Sequence, residues 1–175
     1  MRAILSSFET EFKRYRGKAE EAFAQLEDRE LNLLAAPGGN SITVLVWHIS
    51  GNFESRFTEF LTTDGEKPWR RREEEFRART ATRAELLEKW ERGWAILERT
   101  LADLTDADLS RLVSIRGLQL TVADALTRSL AHLGYHIGQI VLMARNMRGE
   151  SWGFLSIPPG TSEAYNRRPT KERGR

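Results

Sequence analysis

Three histidines are the residues of this 175-residue chain whose type and spacing could bind a metal ion. His132 and His136 are four residues apart, which places both imidazoles on one face of a helix, about one turn apart. His48 lies in a second predicted helix, within the run VLVWHIS, and faces the core side. Three neutral imidazoles would fill three coordination positions of a divalent ion and leave others open for water or substrate, as in a catalytic metal site.

The spacing alone leaves a second interpretation open. A histidine in a protein core is commonly a hydrogen-bonded core residue, and pairs spaced four residues apart occur by accident in many helices. An imidazole nitrogen without a partner would be unfavourable there. The residues therefore predict either three ligands of one ion or three hydrogen-bonded core histidines.

Composition limits the chemistry and the partners. The chain has no cysteine, so it forms neither a disulfide nor a thiolate metal site, and any thiol reaction must use the sulfur of a substrate. Lys and Arg number 27 against 25 Asp and Glu, and residues 164–175 alone carry five basic residues and one acidic residue. A mildly acidic body with a short basic tail argues against a nucleic-acid partner. Because no apolar run is long enough to span a membrane, we expect a soluble, cytoplasmic protein without a membrane partner.

Hydrophobic periodicity predicts the two helices that open the chain. The first covers about residues 6–28, with an apolar residue every three or four positions. The second has Ser41 as its N-cap, carries His48, and ends near Leu61. A charged connection over residues 66–80 follows, which its alternating Arg and Glu blocks predict to be a solvated loop.

A third helix, a hairpin and a fourth helix follow. The third helix covers about residues 83–103 and begins with a capping box at Thr82, which has a glutamate three residues later. Alternating apolar and polar residues over 111–120 predict a small β-hairpin. A second capping box at Thr121 opens the long fourth helix, residues 122–147.

The C-terminal region completes a single predicted domain over residues 1–166. Residues 149–166 are rich in aromatic and aliphatic side chains, so we expect this tail to pack back on the helices. Residues 167–175 form a basic, flexible tail. The fold class predicted is all-α: a four-helix bundle with a small β-hairpin before the last long helix and an ordered C-terminal tail.

At this point the sequence resembles a known family. It is similar to the DinB-like, also called YfiT-like, superfamily of metal-binding four-helix bundles, and more narrowly to a branch known only as a domain of unknown function. The resemblance covers nearly the whole chain, and its most specific parts are the His-x-x-x-His-x-Gly-Gln-Ile stretch and the loop from Thr62 to Pro68. The stretches that carry it are WHISGNFESRFTEFLTTDGEKPW, RLVSIRGLQLTV, SLAHLGYHIGQIVLMAR and SWGFLSIPPGTSEAYN.

The resemblance implies a metal site and an assembly. In that family one histidine of the second helix and two of the fourth bind a divalent ion, often zinc or nickel, and the matching positions are His48, His132 and His136. Iron and manganese are further candidate ions. The family tends to form homodimers, so the resemblance also implies a homodimer.

The resemblance further implies a reaction. Relatives include transferases and isomerases that use low-molecular-weight thiols such as bacillithiol or mycothiol, with the metal activating the thiol. The chain is therefore expected to be a metal-dependent thiol S-transferase with a low-molecular-weight thiol co-substrate and a small electrophile as substrate. Two alternatives stay open: a metal-dependent hydrolase, and a non-catalytic, metal-stabilised dimeric binding or stress protein.

Three polar residues are candidates for contacts around the ion or the substrate. Asn52 and Gln139 follow His48 and His136 by four and three residues, so their amides could bind a water or substrate or could satisfy the backbone. Arg56 lies two turns past His48 and could receive an anionic group or form a surface salt bridge. No residue has the pattern of a general base, so catalytic residues stay unassigned.

Overall fold

Four long α-helices carry the fold in the computed structural model, which describes residues 2–170. Two short helices and a two-stranded antiparallel hairpin complete it, and short 3-10 turns join several of these elements. The predicted all-α bundle with a hairpin before the last long helix is confirmed. In chain order the elements are α1 (Ala3–Ala24), α2 (Ile42–Phe57), α3 (Arg72–Glu75), α4 (Arg83–Asp103), β1 (Leu112–Ile115), β2 (Leu118–Thr121), α5 (Val122–Arg148) and α6 (Ser162–Arg167).

The predicted starts of three long helices are confirmed. The Ser41 hydroxyl accepts a hydrogen bond from the backbone N–H of Val44 at 3.2 Å and so caps α2. Capping boxes headed by Thr82 and Thr121 open α4 and α5. These signals lie within a few residues of the helix start, so the sequence displays them directly.

The first helix differs from the predicted range 6–28 at both ends. The Asp106 carboxylate accepts hydrogen bonds from backbone N–H groups of the first turn, so the helix already begins at Ala3. Near the other end, the guanidinium of Arg83 donates to the Phe23 carbonyl at 3.0 Å. The same carbonyl accepts the backbone N–H of Leu26 at 3.1 Å, in a tighter turn that closes over three residues instead of four, and α1 ends at Ala24.

The second helix ends at Phe57, earlier than the predicted end near Leu61. Thr58 is extended, with φ −65° and ψ 125°, and Glu59 follows with a positive φ of 49°. The Glu59 carbonyl then accepts the backbone N–H of Thr62 at 3.0 Å, which closes a turn. The helix therefore ends immediately before this turn.

Two helix pairs enclose the core. α2 packs along α4, and α1 packs along α5. Gly93 of α4 permits close contact with α2, because a Cβ at this position would lie 2.8 Å from the Cα of Ser50. Aromatic rings pack edge to face between α1, α2 and α4; they are Phe12, Phe23, Phe53, Trp90 and Trp94.

The charged connection over residues 66–80 is not the solvated loop that its composition predicts. It contains α3 and packs on α2, and both Lys67 and Glu75 are buried. The Arg70 side chain is only 2% exposed, and its guanidinium donates to both oxygens of the Glu75 carboxylate, at 2.8 and 2.9 Å. The prediction is wrong because the charges of Arg70 and Glu75 neutralise each other inside the fold.

The hairpin turn is held against the segment that follows α2. Arg116 and Gly117 both have positive φ, 55° and 73°, as a tight two-residue hairpin turn requires. The Asp64 carboxylate accepts the backbone N–H of each at 2.8 Å and the Ser114 hydroxyl at 2.6 Å. Asp64 thus holds the turn beside the segment that follows α2.

Part of the C-terminal region packs on the bundle, as predicted, although no residue of α6 is buried. Trp152 is 8% exposed and belongs to the core, and the segment ends in α6. The predicted flexible tail, 167–175, begins at the last residue of α6, and its residues 171–175 lie outside the described residues. Among the described helices, none combines the length and the apolar character needed to cross a membrane.

Candidate metal centre

α2 and α5 bring the three predicted histidines together. The Nε2 atom of His132 lies 3.1 Å from Nε2 of His48 and 3.1 Å from Nε2 of His136. The possible ligand atoms of the three residues all lie within 4.8 Å of one another. Two nitrogens that each bind one zinc ion at about 2.0–2.1 Å can be at most about 4.2 Å apart, so both 3.1 Å separations suit a shared ion.

Hydrogen bonds behind two of the rings direct lone pairs into this cluster. Nδ1 of His48 donates to the Glu75 carboxylate at 2.8 Å, since a carboxylate can only accept. Nδ1 of His136 donates to the Gln139 amide oxygen at 3.2 Å. When these two rings are neutral, the Nε2 atoms of His48 and His136 therefore carry lone pairs that face Nε2 of His132. A single proton on Nε2 of His132 can be donated to only one of them at a time. A cation at the centre would satisfy all three nitrogens, so the donor set fits a divalent metal.

Burial keeps the two α5 histidines uncharged at neutral pH. Burial, reinforced by the positive charges of the neighbouring histidines and of Arg70, lowers the pKa of His132 to about 3. Burial also lowers the pKa of His136 to about 4, although its hydrogen bond to Gln139 acts in the opposite direction. Because metal ions bind the neutral imidazole, both rings are in the binding form at neutral pH.

Glu75 and Arg70 form a buried ion pair behind His48. Burial raises the pKa of the Glu75 carboxyl, but the hydrogen bond from His48 and the bonds and charge of Arg70 outweigh burial, so the pKa lies below its usual range. The carboxylate is therefore ionised and fixes both the tautomer and the orientation of the His48 ring. A carboxylate behind a histidine is a common support for metal ligands.

Two further contacts hold the His48–Glu75 pair in place. The ring of Phe76 lies 4.4 Å from the His48 ring, centroid to centroid. Gly51 leaves the space that the Glu75 carboxylate occupies, because a Cβ there would lie 2.5 Å from Oε1 of Glu75. Glu75 can thus occupy its position only because residue 51, one turn after His48 on α2, is a glycine.

A cavity of about 210 Å³ opens beside the histidines. His48 and His132 line it, together with Asn52, Ser129 and several arginines. A cavity of this size has room for several waters or for a small ligand. A small molecule could therefore reach two of the three histidines.

The other three predicted contact residues lie around this cluster in different ways. Asn52 is 8% exposed and lines the cavity. Gln139 binds the outer nitrogen of His136 and does not line the cavity. Arg56 also lines the cavity, but it is not on the surface: its side chain is 12% exposed and its guanidinium binds the Glu66 carboxylate at 3.1 Å.

Sequence reasoning missed Glu75 and Arg70. Glu75 is one of three consecutive glutamates in an Arg-rich run, and no local pattern separates it from Glu73 and Glu74. The one available signal is Phe76, the aromatic residue of the run from 70 to 80, whose presence indicates that part of the segment packs against the protein.

Comparisons with known proteins identify a family and a fold. The family model described as "Protein of unknown function (DUF1572)" matches residues 1–161. The structure of a DinB-like protein from Bacillus cereus ATCC 10987 is 16% identical, with a TM-score of 0.62 over 85% of this chain and 96% of that chain. A conserved protein from Enterococcus faecalis is 22% identical, with a TM-score of 0.63 over 86% and 99% of the two chains. No curated protein matches significantly. The resemblance to the DinB-like fold is confirmed.

Proposed function

The chain belongs to the DUF1572 family of proteins of unknown function, and we propose that it binds one divalent metal ion through His48, His132 and His136. One observation carries the proposal: three Nε2 atoms converge, with His132 at 3.1 Å from each of the other two. Glu75 and Gln139 bind the outer nitrogens of His48 and His136, so the lone pairs on the Nε2 atoms of these two rings are free for a shared cation.

Zinc or nickel is the proposed ion. Imidazole nitrogens suit both ions, whereas manganese prefers oxygen ligands, and no carboxylate belongs to the cluster of three histidines. Iron also accepts imidazole ligands, so the metal analysis described below includes it. Selection among these ions in a cell also depends on their availability.

The proposed reaction is transfer of a low-molecular-weight thiol to a small electrophile. A divalent ion supplies Lewis acidity that lowers the pKa of a thiol or water at an open coordination position. The chain itself supplies three imidazole ligands, a cavity that reaches two of them, and no cysteine that could compete with a substrate thiol. We propose that Asn52, which lines the cavity, donates a hydrogen bond to a bound molecule.

The alternatives differ in what they require of the cavity. A non-catalytic ion that only joins α2 to α5 needs no access, so the cavity beside His48 and His132 favours an enzyme. A hydrolase would use the same cavity for water, but none of the described residues that line it carries a carboxylate that could act as general base. Thiol transfer is therefore the reaction that we propose first.

A homodimer stays part of the proposal. Tyr135 and Leu142 lie seven residues apart, about two turns, on one face of α5, and both are largely exposed. Such an apolar face would suit contact with a second copy. Sedimentation analysis of the purified protein gives the oligomeric state directly.

The transferase proposal is tested by measuring whether the protein accelerates the reaction of a thiol with an electrophile. The zinc- or nickel-loaded protein is mixed with a low-molecular-weight thiol and an aryl chloride, and formation of the thioether is followed by absorbance. The thiol sulfur forms a bond to carbon, chloride leaves, and the thiol proton goes to the buffer. We expect acceleration that requires the metal and disappears in His132→Ala. No acceleration by the metal-loaded protein with any thiol tested would contradict the transferase proposal.

A further inference from the structure

The wall of the cavity beside the histidines is strongly cationic. Five lining side chains are arginines, and none of the described residues around it carries a carboxylate. Positive charges gathered on a concave surface focus a potential that attracts anions. The arginines come from α2, from the connection leading into α3, from α3 itself, from the hairpin turn and from α5; they are Arg56, Arg70, Arg72, Arg116 and Arg128.

A single carboxylate, Glu66, serves three of these arginines. Its Oε2 atom accepts from Arg56 at 3.1 Å and from Arg116 at 3.0 Å, and the guanidinium of Arg70 lies 3.7 Å away. A carboxylate offers about four lone-pair sites, whereas three guanidinium groups carry about fifteen N–H donors. Arg70 also donates twice to Glu75 and Arg56 donates to the Gly65 carbonyl, so about half of these donors are left for other acceptors.

The other two arginines are still less compensated. Within residues 2–170, Arg128 has no carboxylate partner, and Arg72 pairs with Glu73, whose side chain is 86% exposed. Arg128 precedes His132 by one helical turn, so both side chains lie on the same face of α5. An anion held by Arg128 would therefore lie beside the histidine cluster.

The fold holds these arginines in place. Asp64 accepts the backbone N–H groups of Arg116 and Gly117, so the hairpin turn that carries Arg116 is fixed against the segment after α2. Arg72 lies over the ring of Phe76 at 4.8 Å, and Phe76 in turn packs on His48. Contacts within the fold thus hold four of the five arginines, and Arg128 is placed by its position on α5, one turn before His132.

We propose that this cavity binds the oxyanion group, carboxylate or phosphate, of a small-molecule substrate. Guanidinium groups bind both of these groups with paired, charge-assisted hydrogen bonds. The inference rests on the proposed function in that the rest of the substrate would face His48 and His132 in the same cavity. It adds the class of substrate: an anionic molecule small enough for a cavity of about 210 Å³.

The test measures anion binding by the full-length protein. Succinate and inorganic phosphate serve as probes and are titrated calorimetrically at constant ionic strength. Arg72→Gln and Arg128→Gln each remove one cavity charge, and both side chains are exposed, so the fold should be retained. The matched control is Arg145→Gln, which removes the same charge from the same helix about 25 Å along its axis.

We expect at least one probe to bind, and both cavity variants to weaken its affinity about tenfold or more, since each removes a charge-assisted contact. Arg145→Gln should bind as the wild type does. The tighter probe would identify the carboxylate or the phosphate as the preferred group. Binding of neither probe, or equal weakening by Arg145→Gln, would overturn the inference.

Failure of the anion proposal and failure of the metal proposal can be distinguished by experiment. Titrating the anions into His132→Ala, which lacks one proposed metal ligand, reports on the arginines without the metal. Anion binding by a wild-type protein that takes up no metal would refute the metal site alone. Metal uptake by a protein that binds neither probe would refute the anion site alone.

Discussion

We expect Glu75→Gln to weaken metal binding while the protein stays folded. Glu75 accepts hydrogen bonds from Nδ1 of His48 at 2.8 Å and from Nε and Nη2 of Arg70 at 2.8 and 2.9 Å. Glutamine has nearly the same shape, but it replaces one acceptor oxygen with an NH2 donor and removes the negative charge. His48 would lose the carboxylate that fixes its tautomer and increases its basicity as a ligand.

Two magnitudes follow from these contacts. Loss of a carboxylate behind a ligating histidine weakens metal affinity about 10- to 100-fold, or about 1.4–2.7 kcal/mol. Loss of one charged hydrogen bond to Arg70 lowers the free energy of unfolding by about 1.5–3 kcal/mol. Arg70 keeps Glu66 at 3.7 Å, so we expect less than the full penalty of an unpaired buried charge.

A competition titration of zinc against a chromophoric chelator measures the affinity, and urea unfolding of the metal-free protein measures the stability. Glu74→Gln is the matched control, because it removes the same charge from the same short helix and its side chain is 44% exposed. Equal zinc affinity in the wild type and Glu75→Gln would refute the supporting role of Glu75. Equal weakening by Glu74→Gln would also refute it, since net charge would then explain the effect.

Three further results are expected. Gly51→Ala should weaken zinc binding in the same titration, because its Cβ would lie 2.5 Å from a Glu75 oxygen; unchanged affinity would contradict this packing. Gly93→Ala should lower the free energy of unfolding by about 1–3 kcal/mol in urea, because its Cβ would lie 2.8 Å from the Ser50 backbone; wild-type stability would contradict the close contact of α2 and α4. Burial lowers the pKa of His132 from 6.5 to about 3, so the unfolded chain binds a proton that the folded protein does not. The free energy of unfolding of the metal-free protein should therefore fall as the pH decreases from about 6.5 to about 4. The contribution of His132 to this decrease is at most about 1.4 kcal/mol per pH unit. His132→Gln should flatten the dependence of urea unfolding on pH.

The starts of the helices could be predicted from the sequence, but their ends could not. Ser41, Thr82 and Thr121 cap helices through contacts three residues away, so the signal is local. α1 instead ends where Arg83, distant in the chain, binds one of its last carbonyls. Such an end depends on tertiary contacts that periodicity does not contain.

The same distinction applies to the candidate site. His132 and His136 share a helix face, so spacing alone placed them together. His48 was a candidate from its place on a second helix, and the resemblance to a family then favoured one site for all three. Glu75 is 27 residues from His48, in a run whose composition is typical of a solvated segment. Its burial comes from pairing with Arg70 and His48 in the folded protein, which no pattern in the run reveals.

Metal content measured by elemental analysis tests the central claim most directly. The protein is purified without a histidine tag or chelator, and the wild type is compared with His132→Ala and Gln139→Ala. We predict about one divalent ion per wild-type chain, none in His132→Ala, and substantial retention in Gln139→Ala, which removes only a hydrogen bond behind a ligand. An absence of metal in the wild type even after zinc or nickel is added, or equal metal content in the wild type and His132→Ala, would contradict the three-histidine site.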